Sequence, residues 1–385
     1  MAVRANKPAF NIREKLKELT HNIGLKGREL MSAATTQDAR NLVSAGRKNL
    51  VHNGDFRVDQ RGGPHTTISG YHFDRWKFQK DGLAQYAHSV TQSSDSPDEF
   101  NNSLRLEVTT SETGLSTTED LCLTHHIEGQ DCQALMAGTS SAKPFTLSFW
   151  VKSTKTGNYS TTSTVEQSGT NKIFSTAYRI NQANTWEYKV VKFPPCPGVI
   201  ADTTSPEISF RWILNAGTAY TTGTNLDQWA DYASNLFAGG HETQIMTDGD
   251  VWQITGVQVE VGENATDFEY RSYGEELALC QRYYERHTWE STGNQYVGVG
   301  VNYQDGTLAR FVFPFLTRKR VVDPVTTFSG TYNAYPPNET VSLSPAQGND
   351  TSVRVNVTRT TSYNGGSGVL ILGTAGSYTE VNAEL

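Results

Sequence analysis

The chain has 385 residues, more than one ordinary domain uses, with 10% aromatic residues, 33 glycines and a formal net charge of -7. It holds no apolar run near the roughly 18 residues that span a bilayer and no apolar signal-peptide core at its start, so membrane insertion and the usual export route are not expected. Cys122, Cys132, Cys196 and Cys280 form no CxxC pair and meet no histidine at ligand spacing, so they should be reduced and mostly buried, with neither a zinc centre nor a disulfide framework.

Residues 1–48 carry ten Lys/Arg against four Asp/Glu, a balance of +6, which leaves 23 against 36, or -13, for the remainder. Asn11 stands three positions before Glu14 as a capping-box variant, and Ile12, Leu16, Leu19 and Ile23 follow at 4-3-4 spacing. This predicts a helix whose two-heptad apolar seam is too short to be stable alone, stopped by Gly24 and Gly27, with a second short helix near 36–46. The segment lacks interleaved aromatics or a DNA-binding motif, so docking on an acidic protein surface is expected over nucleic-acid binding. A solvated helix face, or a small helical cap folded on its own domain, is the alternative.

From residue 49 the period becomes strand-like. Leu104–Val108, Phe145–Val151 and Ile208–Trp212 alternate apolar and polar residues, while 252–254 and 257–259 alternate in opposite phase about Gly256, a predicted bulge. No long helical pattern lies between strands, which predicts a mainly β, antiparallel sandwich. Trp212 and Trp252 share the phase of their apolar neighbours and are core residues first, ligand platforms second. Trp150 is out of phase with Phe145, Leu147 and Phe149, so either a loop covers it or it is exposed.

The run NGDFRVDQRG (53–62) with Asp74-Arg75-Trp76 resembles the first strand of jelly-roll carbohydrate-binding modules, in a variant widespread among bacteriophage tail fibre and virion proteins. Residues 127–131, 146–153, 257–262, 268–277 and 280–284 resemble the same family in order, so the likeness spans about 49–290. Family members often have Trp where this chain has Asp59. The resemblance implies a jelly-roll module at 49–272, a linker helix at 273–289 and a smaller C-terminal β-sandwich domain at 290–385, and the charge split with the short seam makes residues 1–48 the expected anchor to a virion, through Ile12, Leu16, Leu19 and Ile23. Physically, Asn53 and Gly54 should permit a bend that turns Phe56 inward, with Trp76 closing the same end.

Ser272 three before Glu275 predicts the linker helix, with Leu277, Cys280, Tyr284 and His287 on one face. Acidic residues at Asp227, Asp231, Glu242, Asp248 and Asp250 supply carboxylates of the kind glycoside hydrolysis needs. No repeat, GxSxG, HExxH or phosphate loop accompanies them, and no enzyme is expected. His125-His126 lacks a third ligand and reads as surface or edge-strand filler. The family's structural Ca²⁺ would draw on Asp55 and Asp248 or Asp250, a set too scattered to assign; no other cofactor is expected. In the loop 225–232, Trp229 and Tyr232 escape strand alternation and could offer faces to sugar rings, or the segment could be a short amphipathic helix over the sandwich edge. The resemblance therefore leads to a virion protein assembled in the host cytoplasm, homo-oligomeric and expected as a trimer. It would be a tail fibre or receptor-binding protein attaching to host surface polysaccharide, or a decoration, head-fibre or adaptor protein without a ligand.

Overall fold

The computed structural model describes residues 48–67, 69–166, 169–224, 227–290, 295–303 and 305–385. The predicted N-terminal helices and the anchoring residues Ile12, Leu16, Leu19 and Ile23 lie outside the described residues.

Alternation in the sequence becomes twelve strands up to residue 261 among the described residues: β1 (Gly70–Phe73), β2 (Trp76–Asp81), β3 (Ala87–Ser93), β4 (Ser103–Thr110), β5 (Asp120–Glu128), β6 (Phe145–Ser153), β7 (Gly157–Val165), β8 (Lys172–Ile180), β9 (Glu187–Phe193), β10 (Pro206–Ala216), β11 (Ala230–Asp231) and β12 (Val251–Val261). They pair antiparallel into a seven-stranded sheet, β1-β2-β5-β10-β7-β8-β11, and a five-stranded sheet, β3-β4-β12-β6-β9. The chain passes repeatedly between the two sheets, whose inner faces share one core. Phe149 of one sheet meets Trp212 of the other edge-on at 5.7 Å, and Trp76 lies 5.5 Å from Trp212. Trp212 and Trp252 are both fully buried, as their phase predicts. All four cysteines are free and buried.

The Asn53-Gly54-Asp55-Phe56 stretch works differently from the expectation that Asn and Gly together supply the bend. Asn53 and Phe56 take the left-handed backbone region (φ 56° and 54°), whereas Gly54 is needed for close approach, because a Cβ there would overlap the Val257 carbonyl. Phe56 does turn inward, with its ring 4.7 Å from that of Trp76. The Asn53 side chain accepts from Val58 N (3.0 Å) and donates to Val58 O (2.8 Å) and Asp74 O (3.1 Å), while its backbone carbonyl accepts from Trp76 Nε1 (2.9 Å) and its backbone N–H donates to Glu276 Oε1 (2.6 Å). Asp59, the departure from the family pattern, serves the following turn instead. Its carboxylate accepts from the amides of Gly62 and Gly63 at 3.0 and 3.1 Å and holds that turn in place.

The helix after the sandwich, α2 (Tyr273–Gln281), is capped as predicted, with Ser272 Oγ accepting from Glu275 N at 3.3 Å; α1 is the single turn Thr218–Thr221. It ends sooner than predicted. Tyr284 and His287 lie in strand β13 (Tyr284–Trp289), because pairing with β21 (Ser377–Asn382) in register Tyr284↔Asn382 draws that aromatic, β-prone run out of the helix. With β16 (Val325–Ser329) these form a three-stranded sheet. The C-terminal region is otherwise a closed barrel, not the second sandwich expected: β14 (Gln295–Asn302), β15 (Gly306–Pro314), β19 (Ser352–Tyr363), β18 (Glu339–Gly348), β17 (Tyr332–Tyr335) and β20 (Gly368–Gly373) return to β14. Closure leaves no sheet edge in the barrel, which alternation along single strands does not encode.

Sandwich and barrel lie within one compact unit, Leu50–Leu385, and a buried polar seam ties the sandwich to the segments that flank the three-stranded sheet. Arg75 pairs with Glu384 at 3.1 Å and lies 3.4 Å over the Tyr283 ring, while Arg282 makes a bidentate pair with the fully buried Glu128 at 3.0 and 2.9 Å. Motif residues from both ends of the family-like span therefore meet at this joint.

Candidate glycan-binding face

The outer faces of the two sheets are finished differently. Over the seven-stranded sheet, residues 217–224 and 227–243 fold back: Thr162 Oγ1 donates to Phe237 O at 2.6 Å, and Phe237 and Tyr220 pack with Cys122, Ile213, Ala216 and Ala238 as a small separate core. Beside it remains a polar groove of about 430 Å³ whose lining includes Lys77, Gln79, Asp120 and Arg211. Burial, and then the neighbouring Asp81, push the Asp120 carboxyl up to about 7.

On the five-stranded sheet the outer positions of β6 and β12 are mostly polar, with Trp150 and Val251 the apolar ones. The 262–270 segment is fixed over half of this face: Glu260 accepts from Thr266 N (2.8 Å) and Thr266 Oγ1 (2.7 Å), Gln258 Oε1 accepts from Glu269 N (2.8 Å), and Thr146 Oγ1 donates to Gly262 O (2.7 Å). The cover stops short of Trp150. Beyond it lies a cleft of about 250 Å³. Trp150, in register with Tyr188 of β9, meets that ring at 5.3 Å, and Tyr188 is 43% exposed. Across the cleft, Phe100, Phe268 and Tyr270 form a second ring cluster, with centroids 5.0–5.7 Å apart. The Gly256 bulge adjoins this second cluster: Gly256 takes φ +62°, and a Cβ would lie 2.6 Å from the Phe100 ring.

Polar groups continue the platform. Asp95 accepts from Lys152 Nζ (2.7 Å) and Trp186 Nε1 (3.1 Å), and although burial acts against it, those bonds hold its carboxyl below the usual range. Burial, and then the carboxylates of Glu260, Asp267 and Glu99, push the Tyr188 phenol up. Open aromatic rings beside fixed polar groups can stack on a sugar ring and bond its hydroxyls.

The residues picked from the sequence for this role stand elsewhere. Trp229 is partly buried at the sandwich edge, 5.7 Å from Phe174, with its Nε1 donating to Pro194 O at 2.9 Å, so the structure uses it to plug the core. Tyr232 is 44% exposed, follows the edge strand β11, and bonds Asn171 O through its amide at 2.8 Å. Neither lines the cleft. The one sequence signal for the open rings was the phase of Trp150; Tyr188 and Phe268 gave none, since only strand pairing and loop closure bring them to the cleft.

His125 and His126 are also corrected. They sit in β5, between β2 and β10, and not at a surface or an edge. His125 is fully buried with its ring 4.7 Å from Trp76, and His126 Nδ1 bonds Ser209 Oγ at 2.7 Å. Burial pushes His125 well below the usual imidazole range and His126 down to about 3, so both are neutral core groups. Asp55 pairs with Arg57, and Asp250 accepts from Met246 N (3.0 Å) and Thr247 N (2.8 Å) and pairs with Lys155 at 2.6 Å. Among the described residues no three metal-ligating side chains converge. Asp231 pairs with Lys172, and Glu242 accepts from Asn158 Nδ2 at 2.8 Å. Among the described residues no helix is long and apolar enough to cross a membrane.

No protein-family model matches the sequence, and a comparison with curated proteins gives no match. Among solved structures, the chain is similar to the enzymatically active domain of tailspike protein 4 from bacteriophage CBA120, at 16% identity and a TM-score of 0.32 over 56% of this chain and 21% of that one. It is also similar to a putative sugar binding protein from Bacteroides thetaiotaomicron, at 12% identity and a TM-score of 0.29 over 56% of this chain and 100% of that one. A third is the Clostridium thermocellum xylanase 10B fragment with its CBM22-1 and GH10 modules in complex with xylohexaose, at 12% identity and a TM-score of 0.29 over 59% of this chain and 30% of that one.

Proposed function

We propose that this chain is a glycan-binding bacteriophage virion protein, a tail fibre or receptor-binding protein that attaches to host surface polysaccharide through the outer face of its five-stranded sheet. The observation that carries the reading is the Trp150–Tyr188 platform, left uncovered beside the part of that face that is tied under a loop. The family resemblance of residues 49–290 supplies the virion context. In this reading the protein binds without cleaving, works as a homotrimer with other virion proteins as partners, is assembled in the host cytoplasm, and uses residues 1–48 for attachment to the particle.

Affinity electrophoresis through gels containing polysaccharide extracted from the host surface tests it. The wild-type chain should be retarded, and Trp150→Ala should run as in a gel without polysaccharide while keeping its unfolding temperature. Truncating a central aromatic contact costs about 2 kcal/mol or more, roughly thirtyfold in affinity. Equal retardation of the two proteins would remove the platform, and no retardation of either would favour a decoration or adaptor role.

A further inference from the structure

The outer side of the barrel carries an exposed apolar face. Inward positions such as Phe311 of β15 and Ile371 of β20 fill the barrel core, and the positions that alternate with them point out. Val299 of β14 is in register with Leu370 of β20, and Leu370 with Tyr335 of β17, so one apolar row crosses three neighbouring strands. Val312 of β15, and Tyr296 and Val301 of β14, widen it. Tyr296 is 74% exposed, Val299 71%, Val312 62%, and Val301 and Tyr335 51% each. Apolar surface gathered in this way marks an interaction site.

Form, area and charge together restrict the occupant. A closed barrel has no free strand edge, so a partner must pack on the face and cannot extend the sheet. At those exposures each chain offers about 500 Å² of mostly apolar surface, and two such faces together about 1,000 Å², the area from which a stable protein interface starts. Interfaces between copies of one chain are the apolar ones, whereas interfaces between separate partners are no more apolar than ordinary surface. The row itself holds no charge. Chains of net charge -7 can therefore meet across it without like charges in contact, although residues 49–385 carry 36 acidic against 23 basic side chains. Arg310, opposite Val301, is engaged at home: it stacks 3.5 Å from the Tyr303 ring, and its Nε donates to Asn356 Oδ1 at 3.2 Å. Arg354, in register with Val312, places a cation at the border, where a carboxylate of an acidic neighbour can meet it. We infer that this barrel face is where copies of the chain meet, the row around Val299 packing on the same face of a neighbouring copy. The inference rests on the homo-oligomeric part of the reading above and assigns it a surface.

The test uses the full chain, with mass read by analytical ultracentrifugation at micromolar concentration. Wild type should sediment as a trimer. Val299→Asp, which sets a carboxylate in the middle of the face, should weaken association about tenfold or more while the unfolding midpoint stays unchanged. A second measurement does not need the copies to separate, so it holds even where residues 1–48 also join them. The four native cysteines are buried, so Val299→Cys supplies an accessible thiol, and a short bismaleimide should link it to the same residue of a neighbouring copy. Ser344→Cys, exposed on β18 at the far side of the barrel, should stay unlinked. Linking at Val299 and not at Ser344 upholds the interface whatever the mass of Val299→Asp. A wild-type oligomer in which Val299→Cys stays unlinked and Val299→Asp keeps full mass would overturn the barrel interface and leave the homo-oligomeric reading standing. Equal linking at both positions would also overturn it, because contact would not be confined to this face. A wild-type monomer would overturn both, in favour of a different virion protein as the occupant.

Discussion

The two outer faces of the sandwich share a pleat and a core, yet one carries an apolar cover beside a polar groove and the other keeps aromatic rings open beside a cleft. On the seven-stranded sheet residues 217–224 and 227–243 bring their own apolar side chains, Phe237 and Tyr220, and add a small core outside the sheet. On the five-stranded sheet the 262–270 segment is held by polar bonds to Glu260, Gln258 and Thr146 and stops before Trp150, which leaves rings facing solvent. Large aromatic surface is costly to leave in water, and this is the contrast on which the proposed glycan-binding role of the five-stranded sheet rests.

If the faces differ in this way, substitutions should separate stability from binding. The largest effect is expected from Gly256→Ala, because it forces a non-glycine residue to a positive φ and drives a Cβ into Phe100. Stability should fall by about 2–3 kcal/mol, read as a lower midpoint in urea, and glycan binding should vanish through distortion of the cleft. A variant as stable as wild type would show that the bulge does not shape this face. Phe237→Ala, on the covered face, should cost about 2 kcal/mol of stability, since the ring is only partly buried, with affinity for polysaccharide unchanged at a temperature where the variant is folded. Reduced affinity there would mean that the covered face also binds. Tyr188→Ala should act in the opposite sense, lowering affinity by about 1 kcal/mol, roughly fivefold, with an unfolding midpoint within about 0.5 kcal/mol of wild type.

The smallest effect near neutral pH concerns the edge shared by both sheets. There His72 of β1 and His88 of β3 are buried with ring centroids 6.0 Å apart, and His65 lies 5.4 Å from His72. Burial pushes His72 down to about 4 and His88 down to about 3. Because the folded values are below that of a free imidazole, near 6.5, the unfolded chain takes up protons first on acidification. The stability from these histidines is therefore fully present above about pH 6.5 and is lost as pH falls toward 4. His72→Phe with His88→Phe should make the unfolding midpoint less steep in pH across that window, while changing it little at pH 7.5. An unchanged slope would place acid sensitivity elsewhere, for example at His125 and His126.

Much of the fold was legible from residue 49 onward because alternation reports burial directly: inward positions such as Leu147, Phe149, Trp212 and Trp252 are fully buried. The cap at Ser272, the bulge at Gly256 and the inward turn of Phe56 were legible for a similar reason, since each depends on a residue's own conformational limits or on neighbours a few positions away. The site was legible only in the phase of Trp150. Trp229 and Tyr232 looked more exposed because they stand outside any alternating run, but a residue outside a strand pattern can still fill an edge, as Trp229 does against Phe174 and Phe193.

By itself the sequence determined the strands, their antiparallel class, the charge division at residue 48 and the fate of most aromatic rings, because local periodicity and composition carry those. Tertiary structure decided everything that rests on pairing between distant segments. Asn53 meets Glu276 across 223 residues, and Glu384 returns to Arg75 across 309. The barrel closes by pairing β14 with β20, and His125 is interior because β10 covers the flank of β5. The proposed binding face follows from the same kind of choice, since it exists only where the 262–270 segment ends and β9 brings Tyr188 beside Trp150. Such contacts leave little trace in a local pattern, because each partner's neighbours along the chain look the same whether or not the distant residue arrives.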